Sequence, residues 1–229
     1  MDLLGQVAEL AADRGPLANR PNPQTPGPAI RALVAAMEDW VVRGVAPPPS
    51  RAPSLKDGTA IAPLSLRFPN APDFAHPRNY NVITTPVDWI DPPGSPDSAM
   101  TKADGDYVSL VSAIDEDGNE IAGIRLPAVA VPLATYTGWN VYRDFPKELG
   151  DRDGSSIPFA ATKAERQANG DPRLSLEERY GSRDGYVAKV KAYVAELVAA
   201  RLMLPMDADA YVAAAEACDR FAPPAQAAE

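Results

Sequence analysis

The sequence is poor in the residues that build disulfides, metal sites and imidazole catalysis, because it has one cysteine and one histidine among 229 residues. A lone cysteine, Cys218, excludes an internal disulfide and any zinc site built from several cysteines. A lone histidine, His76, excludes metal motifs that need two histidines, and it is the one imidazole available for acid-base catalysis. We therefore predict no metal site and no cofactor.

Basic clusters and long apolar runs are missing as well. The chain has 22 basic residues against 31 acidic ones, for a formal net charge of -9 at pH 7. A field of this sign repels phosphate backbones and anionic lipid headgroups, so we expect neither nucleic acid nor a membrane as partner. The longest apolar stretches, such as residues 127–134, fall far short of the ~20 residues of a spanning helix. Since no secretory signal pattern opens the sequence, we expect a cytoplasmic location if the chain is complete as written.

Complete catalytic motifs are also absent from the sequence. A nucleophilic serine on a strand-to-helix elbow is spelled Gly-x-Ser-x-Gly, and no such pentapeptide occurs. In the nearest lookalikes, Gly154-Ser155-Ser156 and residues 181–185, the serine stands at the wrong position. The glycine-rich loops that cradle nucleotide phosphates are missing too. We therefore assign no catalytic residue within the chain.

Proline is the residue in excess, with 25 in the chain, roughly twice the average usage of about 5%. Twelve of them fall between residues 45 and 96, including Pro47-Pro48-Pro49. Each fixes φ and removes a backbone donor, so we predict a long irregular loop over residues 45–106. Short extended pieces are expected within it, around residues 60–68 and 80–84.

Helical periodicity marks both ends of the remaining sequence. From residue 29 onward, large apolar residues recur at the spacing of one helical face, with Gly44 as the stop. They are Ile30, Leu33, Val34, Met37, Trp40 and Val41. Near the other end, Ser175 and Glu178 predict a capping box, Ser182 starts the longest helix, and Asp207 caps a last helix that runs through Phe221.

Alternation of apolar and polar residues predicts a β-hairpin over residues 107–126, with Asp117-Gly118 as its turn. Helices and a hairpin separated by long proline-rich loops indicate the α+β class. We interpret residues 29–221 as one domain, preceded by an N-terminal segment and proline-rich connector at 1–28. Residues 222–229 are predicted to be a frayed tail.

Two features are candidates for a functional site. Tyr136, Thr137, Trp139 and Asn140 combine rigid aromatic rings with small polar groups and could line a pocket for an organic substrate, although core packing is the more common role of such a group. His76 could act as a general base if a nucleophile and an orienting carboxylate fold against it. The alternative is a histidine with a structural role.

Several stretches together resemble one family, the bacterial α/β-hydrolase-domain proteins, which are large and esterase-like. The resemblance covers about residues 20–215 and is carried by segments that occur in a fixed order. They are Ile30-Arg-Ala-Leu-Val-Ala-Ala-Met-Glu-Asp-Trp40, Pro132-Leu-Ala-Thr-Tyr-Thr-Gly-Trp-Asn140, Gly154-Ser-Ser-Ile-Pro-Phe159, Gly170-Asp-Pro-Arg173 and Ser175-Leu-Glu-Glu-Arg-Tyr-Gly181.

The resemblance implies that this chain corresponds to the C-terminal portion of such a protein. In the family, the nucleophile elbow and the catalytic histidine lie N-terminal to the matched region, so the chain alone is expected to be inactive. Residues 29–43 resemble the last helix flanking the hydrolase sheet, and the aromatic run would help to form the acyl or alcohol pocket. The implied chemistry is hydrolysis of a small organic ester, with an upstream or separate hydrolase core segment as partner.

Two rival hypotheses remain open from the sequence. The chain could be a non-catalytic ligand-binding or protein-interaction module derived from such a hydrolase. It could also be an unrelated enzyme that uses His76.

Overall fold

A computed structural model describes residues 15–77, 87–88, 100–101, 107–145, 148–150 and 152–221. Within these ranges, short antiparallel strands and helices occur in largely separate runs, which confirms the predicted α+β class. The N-terminal segment up to residue 14, the predicted extended piece at 80–84 and the tail at 222–229 lie outside the described residues. None of the helices in the described ranges is long and apolar enough to cross a membrane.

The described elements follow one another in the order of the chain. The strands are β1 (Arg20–Pro21), β2 (Ala60–Ile61), β3 (Val87–Asp88), β4 (Met100–Thr101), β5 (Val111–Ser112), β6 (Ala134–Thr137), β7 (Asn140–Val141), β8 (Leu149–Gly150) and β9 (Ser155–Pro158). The helices are α1 (Gly27–Arg43), α2 (Pro127–Ala130), α3 (Lys163–Asn169), α4 (Leu176–Tyr180), α5 (Arg183–Ala199) and α6 (Pro205–Glu216), with a 3-10 turn at Pro63–Ser65.

A three-stranded antiparallel sheet forms the centre, in the order β1-β9-β6. Ser156 on the middle strand lies opposite Arg20 on one side and Tyr136 on the other. The remaining strands form three separate pairs, β2 with β5, β3 with β4 and β7 with β8. Because opposite residues of an antiparallel ladder project to the same face, Arg20, Ser156 and Tyr136 form one row across the sheet.

Helices α4, α5 and α6 carry the main core. Ser182 accepts a hydrogen bond from Gly185 N at the start of α5, and Ser175 and Glu178 form the capping box of α4, so both predicted caps are confirmed. The apolar face of α5 is buried, with Val190 at 1% and Leu197 at 2% exposure. This face packs against α6, against Phe159 just after β9 and against the loop residues Leu202 and Met203 in one continuous cluster.

The start of α6 differs from the prediction. Asp207 is not the cap, because the helix begins at Pro205, with Leu204 in the capping position. The fixed φ of Pro205 suits the first helical position, which leaves Asp207 two residues inside the helix. Its buried carboxylate instead pairs with the guanidinium of Arg31 on α1. The helix also ends at Glu216 rather than at Phe221, the end expected from the sequence.

Helix α1 confirms the predicted helix and its stop at Gly44, which adopts a left-handed φ of 69°. The face it buries consists of small residues, Ala29, Ala32 and Ala36. The predicted apolar face points away from the rest of the described structure. Its members are 44–77% exposed, and they are Ile30, Leu33, Val34, Met37, Trp40 and Val41.

The predicted hairpin is present but shorter than the sequence indicates. Gly118 N donates to Asp115 O at 3.0 Å, so Glu116 and Asp117 are the central residues of the turn, and Gly118 follows with a φ of 83°. Ile114 pairs with Glu120. Ile121 N also donates to Ala113 O at 3.0 Å, and before these residues β5 pairs with β2 instead. The turn is tied to β6 by the side chain of Asn119, which donates to Ala134 O and accepts from Tyr136 N.

Candidate functional site

Four rings from distant parts of the chain meet beside the central sheet. Trp139 stacks on Phe74 with ring centroids 5.7 Å apart and meets Phe68 edge to face at 5.4 Å. His76 lies 4.2 Å from Phe74 and 6.1 Å from Trp139. The proline-rich segment therefore folds back on the sheet, where its residues Phe68, Phe74 and His76 contact Trp139. We call these four rings the aromatic cluster.

The backbone of Trp139 is held by two hydroxyl groups. Thr137 Oγ1 donates to Trp139 O at 2.6 Å, and Ser155 Oγ donates to the same oxygen at 2.6 Å. Both donors lie on neighbouring strands of the sheet, on β6 and β9. The strand register thus fixes the main chain at Trp139, and the ring contacts with Phe68 and Phe74 hold its indole.

His76 is half-buried among these rings. Burial lowers the pKa of its imidazole below the ordinary value of 6.5, because the apolar surroundings disfavour the charged form. In the part of the chain that the structure describes, the ring contacts Phe68, Phe74 and Trp139, and no hydrogen bond to the imidazole is seen. Its use as a general base stays a prediction.

A small cavity of about 200 Å³ opens next to the aromatic cluster. Three of the four predicted pocket residues, Tyr136, Thr137 and Trp139, line it. The walls also include Leu66, Phe68, Val111 and Glu120. Partial burial raises the pKa of the Glu120 carboxyl. The arrangement offers rigid aromatic walls and one acidic group to a small organic molecule, and the identity of any ligand stays a prediction.

Tyr136 connects this cavity to the opposite side of the sheet. Burial raises the pKa of its phenol to about 12, and its side chain forms a hydrogen bond with the side chain of Gln24. The phenol is therefore neutral across the physiological range and acts as a hydrogen-bonding group rather than as a base.

Asn140, the fourth predicted residue, is completely buried. Its Nδ2 donates to Asn19 O at 3.3 Å and to Gly154 O at 3.0 Å. Its Oδ1 accepts from Asn19 N at 3.2 Å and from Val141 N at 2.9 Å. The amide thus uses its hydrogen bonds to hold β7 against the segments that enter β1 and β9.

A sequence model described as alpha/beta hydrolase domain matches residues 6–213, which include the aromatic cluster and the cavity. The chain belongs to the α/β-hydrolase domain family. No curated protein and no solved structure matches it.

Three residues of this α/β-hydrolase-domain chain were missed as parts of the candidate site. Phe68 and Phe74 lie in the proline-rich segment, where irregular backbone hides any periodicity, and Glu120 lies just past the hairpin turn. The available signal was composition, because Phe68 and Phe74 both stand within eight residues of His76. Aromatic residues in a proline-rich loop would form an exposed apolar patch unless they packed on another surface, and here they pack on Trp139.

Proposed function

We propose that this chain is the C-terminal portion of an esterase-like protein of the α/β-hydrolase fold. In this proposal its nucleophile elbow and catalytic histidine are supplied by a separate hydrolase core segment, and the reaction is the hydrolysis of a small carboxylic ester. The observation that carries the proposal is the exposed apolar face of α1. We call the six residues of this face, Ile30, Leu33, Val34, Met37, Trp40 and Val41, the α1 stripe.

The stripe has the composition of a core-facing surface. It contains no charged residue, yet Trp40 is 57% exposed and Val41 is 77% exposed. Full burial of one such side chain contributes about 1.5–3 kcal/mol, so covering the stripe would contribute on the order of 5–10 kcal/mol before the entropy cost of association. An exposed apolar surface of this kind is typical of a site that binds another protein segment, so it supports the proposal that a partner covers the stripe.

The width of the stripe favours a sheet as the covering surface. Ile30, Val34, Met37 and Val41 follow the four-three-four spacing of a narrow coiled-coil seam, and Leu33 and Trp40 widen it on one side. A face of at least roughly 100° is typical of a helix packed on a core, whereas a paired coil needs the narrower seam. The apolar face of a hydrolase β-sheet matches this geometry.

Contacts on the opposite side of α1 fix the orientation of the helix and therefore of the stripe. Arg31 pairs with Asp207 on α6, and Arg201 reaches both Asp39 and Ala46 O, the latter at 2.8 Å. These contacts hold the helix on the C-terminal core with the stripe directed outward. A core segment could therefore dock on a preformed surface without reordering α1.

In this proposal the small cavity contributes to the substrate pocket. Thr137 and Trp139 would contact the acyl or alcohol part of the ester. Tyr136 would line the pocket from the strand itself, since its phenol projects to the other face, and Asn140 would keep these strands in place. Rigid aromatic walls bind apolar substrate groups at low entropic cost, which suits a pocket for a small ester.

The proposal is tested first on the coding DNA directly upstream, translated in the same and the adjacent frames. We expect a Gly-x-Ser-x-Gly pentapeptide and a histidine there. The segment that carries them is then coexpressed with the 229-residue chain. We expect the pair to hydrolyse p-nitrophenyl acetate in a reaction blocked by a serine-directed phosphonate, and the chain alone to be inactive.

Two neighbouring valines provide a matched control for docking. Val41 lies in the α1 stripe, whereas Val42 is 72% exposed on another side of the same helix. Val41→Asp should abolish copurification and ester turnover, and Val42→Asp should leave both unchanged. Phosphonate-sensitive turnover by the chain alone, or an upstream region without the elbow, would overturn the proposal.

A non-catalytic ligand-binding module is the second candidate function, and the cavity beside the aromatic cluster favours it. Its walls are held by hydrogen bonds within the chain, so a ligand could bind without a partner. This candidate predicts a cooperative thermal melt of the isolated chain and a rise in Tm with short-chain esters that are not turned over. Aggregation of the isolated chain would count against it.

A further inference from the structure

A second and larger cleft, of about 570 Å³, lies between the central sheet and the residues that follow α6. Unlike the aromatic cavity, it is lined mostly by polar and charged side chains. They include Asn19, Arg20, Ser156, Arg173 and Arg220. The volume falls within the range of about 300–1,000 Å³ that is typical of small-molecule sites.

Ser156 contributes an unpaired hydroxyl to this cleft. The residue is 1% exposed, and its Oγ finds no hydrogen-bond partner among the described residues. Its neighbour Ser155, on the other face of the strand, is fully engaged, since its Oγ donates to Trp139 O and accepts from Asn19 Nδ2 at 3.2 Å. Buried hydroxyl groups are rarely left without a partner, so the Ser156 hydroxyl calls for an acceptor from outside the chain.

Two arginines place positive charge beside this hydroxyl. Arg20 lies opposite Ser156 in the strand register and therefore projects to the same face. Arg220 is half-buried and donates from Nη2 to Phe159 O at 2.7 Å. Burial is the main cause that lowers the pKa of Arg220. Smaller effects come from Cys218, Tyr136 and Glu165, which raise the pKa, and from Arg20, which lowers it, so the two guanidinium groups lie within electrostatic reach of each other.

Neither guanidinium is neutralised by an ion pair within the described ranges. Arg173, in the same cleft, shows the contrasting case, because it is paired with Asp171 at 2.7 Å and its remaining donors bind backbone and hydroxyl oxygens. The other carboxylates of the cleft belong to Asp73, Glu165 and Asp219, all exposed at its rim. Solvent screens these exposed charges more strongly than the half-buried charge of Arg220.

We propose that the cleft between β9 and the end of α6 binds a small oxyanion, a carboxylate or a phosphate group, through Arg20, Ser156 and Arg220. One oxygen of the anion accepts from the Ser156 hydroxyl, and the others accept from the two guanidinium groups. Such charge-assisted hydrogen bonds are short and directional, and they complete the coordination that the chain leaves open. The site does not depend on the proposed hydrolase partner.

The test is isothermal titration calorimetry of the purified 229-residue chain at constant ionic strength. The probes are inorganic phosphate, succinate and acetate, each titrated separately to millimolar concentration. Saturable binding of phosphate alone assigns the site to a phosphate group, and saturable binding of either organic acid assigns it to a carboxylate. Absence of saturable binding for all three probes overturns the proposal.

Variants locate the binding and separate it from folding. Arg20→Gln and Ser156→Ala should each weaken the affinity about tenfold or more, because each removes a hydrogen bond to a charged ligand. Arg152→Gln, an exposed arginine outside the cleft, should leave it unchanged. Unchanged affinity in both cleft variants would overturn the assignment even if an anion binds.

Serine substitutions provide a readout that a structural role would not give. Ser156→Ala removes an unsatisfied hydroxyl, so the Tm of the ligand-free chain should stay equal or rise. Ser155→Ala removes two hydrogen bonds and should lower the Tm. A large loss of Tm in Ser156→Ala would mean that the hydroxyl has a partner within the chain, which contradicts the proposal.

Discussion

Helices α1 and α5 are both 17 residues long and follow the same hydrophobic period, yet they use it in opposite ways. Helix α5 buries its large side chains, whereas α1 buries alanines and leaves its large side chains exposed. The comparison shows that periodicity predicts a helix and its apolar face. It does not predict what covers that face, because this is decided by surfaces far away in the sequence.

The two helices also differ in how they are attached. The face of α5 meets α6 along its length and joins the main apolar cluster. Helix α1 is held by small side chains and by ion pairs of Arg31 and Arg201 with Asp207 and Asp39. Substituting a large apolar side chain in a buried contact lowers the stability strongly. Exposed side chains of the same type contribute little to the stability of the isolated chain.

The largest expected effect comes from placing a charge on each helix. Val190→Asp on α5 should lower the free energy of unfolding by more than about 4 kcal/mol, because it buries an unpaired carboxylate in the main cluster. Val34→Asp in the α1 stripe should change it by less than about 1 kcal/mol, since the side chain is in water. Urea unfolding followed by far-ultraviolet circular dichroism measures both.

One outcome would contradict the proposed difference between the two helices. If Val34→Asp destabilises the chain as strongly as Val190→Asp does, the stripe is covered in solution. Analytical ultracentrifugation of the wild-type chain then decides whether a second copy covers it. Val190→Ala and Val34→Ala control for loss of side-chain volume without a charge.

An intermediate effect is expected from glycines at the ends of the two helices. A Cβ at Gly185, near the start of α5, would overlap the carbonyl oxygen of Tyr180, so Gly185→Ala should cost roughly 1–3 kcal/mol through a forced backbone shift. Gly44, which ends α1, has a φ of 69° and open space around the position of a Cβ. Gly44→Ala should therefore cost about 1 kcal/mol from backbone strain alone. Equal losses in the two variants would contradict the packed start of α5.

Local signals in the sequence predicted the helical part of the fold well. The caps at Ser175 and Ser182 depend on residues three positions away, so short-range chemistry decides them. Asp207 failed as a predicted cap because Pro205 starts the helix and Arg31, 176 residues away, takes the carboxylate. Pro205 was a local signal for the true start that the prediction did not use, whereas the ion pair with Arg31 leaves no trace in the local sequence.

The candidate site was predictable only in part for the same reason. The run that contains Tyr136, Thr137 and Trp139 was visible as a local excess of aromatic and hydroxyl side chains. Its partners Phe68 and Phe74 come from a segment whose prolines prevent any regular pattern. Long-range contacts between irregular segments depend on packing, which short-range propensities do not encode.

The smallest expected effect comes from protonation of His76 in the aromatic cluster. Its imidazole is half-buried, whereas the apolar face of α5 is buried and the α1 stripe is exposed. Burial lowers the pKa of His76 in the folded chain, so the unfolded chain takes up a proton near the ordinary pKa of 6.5 while the folded chain does so only at lower pH. Stability is therefore complete above about pH 7 and falls as the pH drops through 6.5 toward the lower folded pKa, by at most about 1.4 kcal/mol per pH unit.

Replacing the imidazole isolates this contribution from that of the carboxylates. His76→Gln removes the titrating group, so the variant lacks the loss of stability that protonation of the imidazole causes. The unfolding free energy of the wild type minus that of the variant should therefore decrease as the pH is lowered from about 7.5 to about 5. Urea titrations at each pH measure it. A difference that moves in the opposite direction would mean that the imidazole is charged and paired in the folded chain, and the aromatic cluster would then be a polar site rather than a packed one.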